Sequence, residues 1–119
     1  SHGNVLIAGE KLLKDEPELV EKFVAALDKS LDYIIGGHSR EAVELSVSKY
    51  APSFGDRVDV VTRILGEIFI PYLWTSDYTK AHGLGASDAE RWGRSIAILK
   101  EYGVLKTAPS AEDLLYVRP

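Results

Sequence analysis

Residues 74–105 read WTSDYTKAHGLGASDAERWGRSIAILKEYGVL, and within them one helix is bracketed by its own end signals. Ser87 and Glu90 form S-x-x-E, the spacing of a capping box. In that arrangement the serine accepts from the third helical amide and the glutamate reaches back to the serine amide. Gly103 can take the left-handed conformation that closes a helix, and Val104 then lies where it can pack back on Leu99, as a Schellman motif requires. Between these signals Trp92, Ile96 and Leu99 recur at helical spacing, with Arg91, Arg94, Lys100 and Glu101 mostly on other faces. A helix over residues 87–102 is predicted.

Working back from this stretch, residues 71–86 read as a long connection rich in Tyr, Trp, Thr, Ser and Gly, and loops of this length inside compact domains usually carry function. Before it, Asp56 opens a helix through Val60, Val61, Ile64, Leu65 and Ile68 that Pro71 is expected to end. Ser39 is read as the cap of a shorter helix carrying Ala42, Val43, Val47 and Tyr50, which must stop before Pro52. From Pro17 the residues Leu19, Val20, Phe23, Val24, Leu27, Leu31, Ile34 and Ile35 keep an i, i+3/i+4 rhythm, and Gly36-Gly37 stops it. Val5 to Ala8 is a short apolar run of strand length ending at Gly9. Beyond the last long helix, a turn begins at Ser110 with Asp113 three residues on. The chain is therefore expected to be mainly α with one or two short strands. Ser1-His2 reads as the remnant of a cleaved tag, residues 1–3 as remnant and linker, and residues 4–119 as a single domain.

Bulk properties exclude several functions. The 119 residues carry a formal net charge of −4, with Lys and Arg interspersed among Asp and Glu, so the chain lacks the basic footprint of a nucleic-acid binder. Hydrophobic residues make up 45 % and charged residues 27 %, the balance of a folded globular chain. No apolar run approaches the roughly 20 residues of a membrane span. With no Cys there is neither a disulfide nor a thiolate metal site.

The motifs that imitate catalysis each break at a required position. Gly37-His38-Ser39-Arg40-Glu41 begins like the nucleophile elbow G-x-S-x-G, but Glu41 stands where a small residue is needed and a helix, not a strand, precedes it. Gly83-Leu84-Gly85-Ala86-Ser87-Asp88 begins like a dinucleotide loop, yet Asp88 stands where the third glycine belongs. His2, His38 and His82 show no metal-ligand spacing. No catalytic residue, metal ligand or cofactor site is assigned. The remaining candidates are Tyr72, Trp74 and Asp77: the first two offer ring faces on which a heteroaromatic ligand could stack, and the third offers an acceptor. The alternative is that these aromatics, with Tyr78, cover the core beside the last helix.

Together with the opening NVLIAGEKLLKDEPELVEKFVAALDKSLDYI, the ordered parts resemble the C-terminal half of ABC-importer solute-binding proteins. The group is the thiamine-precursor, sulfonate and nitrate family (NMT1/THI5-like). The parts that match are an apolar strand, a helix opening at Pro17, a helix ending in Lys49-Tyr50-Ala51, HGLG, an Arg91-Trp92 pair and Glu101-Tyr102-Gly103. The resemblance implies an α/β parent of the type II periplasmic-binding-protein kind, of which this chain is a fragment. It implies capture of a small solute, a thiamine-precursor-like heteroaromatic compound, between two lobes, delivery to an ABC permease, a periplasmic or extracellular location with membrane association through the parent's signal or lipid anchor, a missing N-terminal half, and no chemistry. The strand would be a crossing between the lobes. A fragment with a strand edge and apolar helix faces uncovered is expected to self-associate. Two other functions stay open: a thiamine-pyrimidine synthase-like enzyme, and a helical ligand-sensing or interaction domain of a larger receptor.

Overall fold

The computed structural model describes residues 3–118, so the tag reading of Ser1 and His2 concerns residues outside that range. The described residues are mainly helical, and they divide into two compact units, residues 3–84 and 85–118.

The first unit opens with residues 4–9 outside any helix or strand. The expected strand at Val5 to Ala8 does not form: no residue among those described lies in a strand, and Ile7 is 85 % exposed. The apolar pattern suits a strand, but a strand exists only where a second one accepts its hydrogen bonds. Helix α1 (Glu10–Asp15) follows, with Lys11 and Asp15 paired one turn apart at 2.6 Å. It stops at Glu16 because proline pushes the preceding residue out of the helical region; Glu16 sits at φ −135°, ψ 56°. Pro17 then occupies the first turn of α2 (Pro17–Tyr33), where its missing amide costs nothing. Val20 alone on this helix is buried, while Leu19 and Phe23 of the same apolar stripe stay exposed, Phe23 to 58 %.

The stop at Gly36-Gly37 is confirmed. A widened turn over Ile34–His38 holds Gly37 at φ +111°, a conformation open to glycine. Ser39 is not the cap. His38 takes that position of α3 (Ser39–Tyr50), and the Ser39 hydroxyl donates to the Ile34 carbonyl at 3.2 Å. Val43 and Val47, one turn apart, are buried. The helix ends before Pro52, which starts a tight 3₁₀ stretch (Pro52–Arg57) leading into α4 (Val58–Ile64). Helices α3 and α4 pack together, and Arg40 pairs with both Glu44 on its own helix and Asp59 on α4.

Pro71 does not end this helix. The chain winds on as a wide, π-type segment from Leu65 to Trp74 with Pro71 inside it. A proline removes one i→i−4 donor and crowds the carbonyl behind it, and a widened turn relieves both demands. Thr75 closes the segment twice on the Ile70 carbonyl, through its amide at 3.0 Å and its hydroxyl at 2.7 Å. The long loop expected over residues 71–86 is thereby shortened at its start and interrupted by α5 (Asp77–His82). A reciprocal Ser76–Thr79 capping box opens α5, and Gly83 at φ +98° closes it.

The second unit contains α6 (Ala89–Glu101) and α7 (Ala111–Leu114), which pack together. The glycine conformation and both hydrogen bonds of the Schellman stop are present: Gly103 at φ +72°, its amide donating to the Lys100 carbonyl and the Val104 amide to the Leu99 carbonyl. The start lies one residue later than Ser87. Asp88 is the cap, its carboxylate accepting from the Arg91 amide at 3.2 Å, because a carboxylate at the positive end of the helix competes well against a hydroxyl one residue earlier. Asp88→Ala is accordingly expected to cost about 1 kcal/mol in chemical denaturation, and Asp88→Asn, which keeps the acceptor, much less. Equal losses for the two would show that charge, not the cap bond, governs this helix end. Ser110 caps α7 by accepting from Asp113, as its spacing predicts.

Candidate ligand-binding site

Trp74 ends the wide helical segment, and three features hold it. Its backbone precedes the double closure of Thr75 on Ile70. Its ring meets Phe69 edge-on, with centroids 6.0 Å apart and planes at 75°, a favoured aromatic geometry. Its indole Nε1 donates to the Asn4 side-chain oxygen at 3.3 Å. Gly3 lies against the same helix end so closely that an added Cβ would come within 2.8 Å of the Leu73 carbonyl oxygen. The N-terminal segment thus closes on the end of the helix. Trp74 is half-buried, anchored at its polar edge yet still partly open to solvent.

The other two candidates sit differently. Tyr72 is 78 % exposed, and two residues of separation set it on another side of the helical turn from Trp74. Asp77 lies in the first turn of α5 and accepts from Lys80 at 3.3 Å, with both side chains well exposed. Trp74 is therefore built into a cluster, whereas Tyr72 and Asp77 flank it along the chain. Tyr78 stacks on His82, with centroids 4.1 Å apart, while His82 Nδ1 donates to the Tyr78 carbonyl.

Sequence reading missed Asn4, Phe69 and Gly3. Phe69 stands five residues before Trp74, a spacing that faces inward only in a widened helix. Nothing in the local pattern marks Asn4, whose partner is 70 residues away.

A second cluster surrounds the turn at Gly37. His38 stacks on Tyr33 at 4.0 Å, its Nδ1 donating to the Tyr33 carbonyl, and the Tyr33 hydroxyl donates to Glu41. That hydrogen bond to a carboxylate raises the Tyr33 pKa above the usual tyrosine value, with desolvation and the Glu41 charge adding in the same direction. Both described histidines thus use Nδ1 at a helix end. Among the described residues no group of three or more His, Asp or Glu side chains is placed to hold a metal ion. A shallow concavity beside α1, lined by Gly9, Lys11, Leu12, Asp15 and Glu16, has no aromatic wall. None of the helices among the described residues is long and apolar enough to cross a membrane.

The segment that supplies Asn4 and runs through α2 into the first turn of α3 also carries the family signal. Residues 1–42 match the family described as NMT1/THI5 like. Over these residues, about a third of the chain, it is similar to that family. That agrees with the resemblance read from the order of parts, and a mainly α chain fits a family whose fold is α/β and periplasmic-binding-protein-like. The chain is also similar to the riboflavin-binding protein RibY of Chloroflexus aurantiacus, with 31 % identity over 104 residues. That alignment takes in 86 % of this chain and 28 % of the relative. The chain thus spans little more than a quarter of the relative's length. No solved structure matches it.

Proposed function

We propose that this chain is part of a solute-binding protein that captures a neutral heteroaromatic compound, a flavin or a thiamine-precursor pyrimidine, and hands it to an ABC permease without chemical change. The observation that carries this reading is Trp74: an indole fixed at its polar edge, half-open, in a chain whose first 42 residues match the NMT1/THI5 like family and which is similar to a riboflavin-binding protein. Tyr72, on another side of that helical turn, and Asp77, in the first turn of α5, are proposed as separate ligand contacts, a ring and an acceptor, flanking the Trp74 face. A fixed aromatic face suits such a ligand because stacking is favourable for any flat π-system and little side-chain freedom remains to be lost on binding. The remainder of the cleft belongs, on this reading, to the other lobe-forming segments of a protein outside the cytoplasm.

The test is calorimetric titration of the full-length protein with riboflavin and with hydroxymethylpyrimidine. Trp74→Ala is expected to weaken binding of the preferred ligand by roughly 1–3 kcal/mol. Unchanged affinity in a folded variant would return Trp74 to a packing role and remove the proposed stacking face.

The same reading treats the open stripe of Leu19, Phe23 and Leu27 on α2 as a face covered in the complete protein. Taken alone, the 119-residue chain should then self-associate through it. Light scattering coupled to size exclusion is expected to show mass rising with concentration, and Phe23→Glu to abolish the rise. A strictly monomeric chain at every concentration would refute it.

A further inference from the structure

We propose that Asn4 is a positioning residue for the ligand-binding indole of Trp74, and that Gly3 is the glycine that lets it reach. This rests on the reading of Trp74 as part of a heteroaromatic site. An indole N–H offers a single donor, and here that donor is taken by the Asn4 side-chain oxygen at 3.3 Å across 70 residues of sequence. Phe69, at 75° to the indole, restrains the ring in a second direction, so the two contacts together fix both tilt and rotation. Asn4 can arrive there only because residue 3 has no side chain: a Cβ at that position would come within 2.8 Å of the Leu73 carbonyl oxygen and 3.0 Å of the Leu73 Cβ. Backbone cannot yield that space cheaply, so a larger residue at position 3 carries Asn4 away from the indole.

The arrangement has a further consequence for recognition. With Nε1 already engaged, the indole has no donor left for the ligand, and it contributes a π-face alone. Hydrogen bonds to the ligand's ring nitrogens and carbonyls must then come from other groups, which favours a ligand held at Trp74 by stacking. Preorganising that face lowers the freedom lost on binding.

The test is a double-mutant cycle on the full-length protein with riboflavin as the probe, joined to the indole N–H resonance of Trp74, assigned with Trp92→Phe. Asn4→Ala is expected to shift that resonance, speed its exchange with solvent, and weaken riboflavin binding roughly three- to tenfold, the range of one net hydrogen bond. Asn4→Asp keeps an acceptor in the same place and should restore both readouts. Gly3→Ala should reproduce the Asn4→Ala behaviour while Asn4 itself is intact. In a Trp74→Ala background Asn4→Ala should change nothing further, since a residue that acts only through the indole has nothing left to position.

Equal losses from Asn4→Ala with and without Trp74 would overturn the proposal, as would an Asn4→Ala variant that binds like wild type while Trp74→Ala binds weakly. The second result leaves the Trp74 site standing. A Trp74→Ala variant with full affinity, or a wild-type protein that does not bind riboflavin, overturns the site or the ligand class, and this inference falls with it. Should Asn4→Ala fail to fold, the Asp variant and Gly3→Ala decide between the same outcomes.

Discussion

Ile96→Ala should destabilise the C-terminal unit by about 2–4 kcal/mol, while Ile98→Ala on the same helix should cost under about 0.5 kcal/mol. The two residues share chemistry and helix; they differ in surroundings. Ile96 is 6 % exposed and Ile98 is 53 % exposed. Truncating a buried isoleucine removes three carbons from contact with packed neighbours and leaves a void that the helix pair α6–α7 can only partly close, so the transfer and cavity contributions add. The same truncation on an open face removes carbons already in water. Denaturant midpoints followed through Trp92, one turn from Ile96, would compare the pair directly. Similar shifts for the two variants would mean that the buried face of α6 has been assigned to the wrong side.

Gly103→Val should be the most damaging substitution at a helix end, costing at least about 1–2 kcal/mol. The position is open: no atom lies within 4 Å of where a Cβ would stand. Crowding by neighbours is therefore not the cause, and the cost arises in the backbone itself. At φ +72° a β-branched side chain collides with its own carbonyl group, whereas Asn tolerates that region and Ala is intermediate. The stabilities should rank Gly, Asn, Ala, Val in falling order. Losing this cap also frees the Lys100 and Leu99 carbonyls that the Gly103 and Val104 amides now satisfy. A ranking that followed side-chain volume alone, with Asn worse than Ala, would place the cause in packing and contradict the open surroundings.

Those two positions also show what the sequence made legible. A Schellman stop depends on a glycine and the residues beside it, so Gly103, Val104 and Leu99 announce it within a few positions. Pro17 and Gly37 are equally local, one suited to a first helical turn and the other to positive φ, and both act where expected. What failed to show needed either a distant partner or a choice between neighbours. Val5 to Ala8 has the pattern of a strand, but pattern does not supply the second strand. Ser87 and Asp88 are both competent caps, and the carboxylate holds the position. Pro71 normally breaks a helix; the wide turn from Leu65 to Trp74 absorbs it, with Thr75 supplying two bonds that a propensity argument does not count. The Ser76–Thr79 box was hidden because threonine replaces the usual glutamate. Of the proposed site, Trp74 could be singled out as an aromatic in a connecting segment. Its Asn4 anchor could not, since only the folded chain brings residues 70 apart into hydrogen-bonding range.

The packed helix pairs α1–α2, α3–α4 and α6–α7 are neighbours in sequence, which gives this chain a low contact order and the rapid folding that accompanies it. Each pair can assemble as soon as its second helix has been synthesised, without waiting for the rest. The bond from Asn4 to Trp74 is different, because it closes a loop spanning most of the first unit and carries the entropy of that closure. It should form late, after α2, α3 and α4 have shortened the path between its ends. The indole would then acquire its final orientation only once the helices beneath it are in place, making the site one of the last features of the unit to mature.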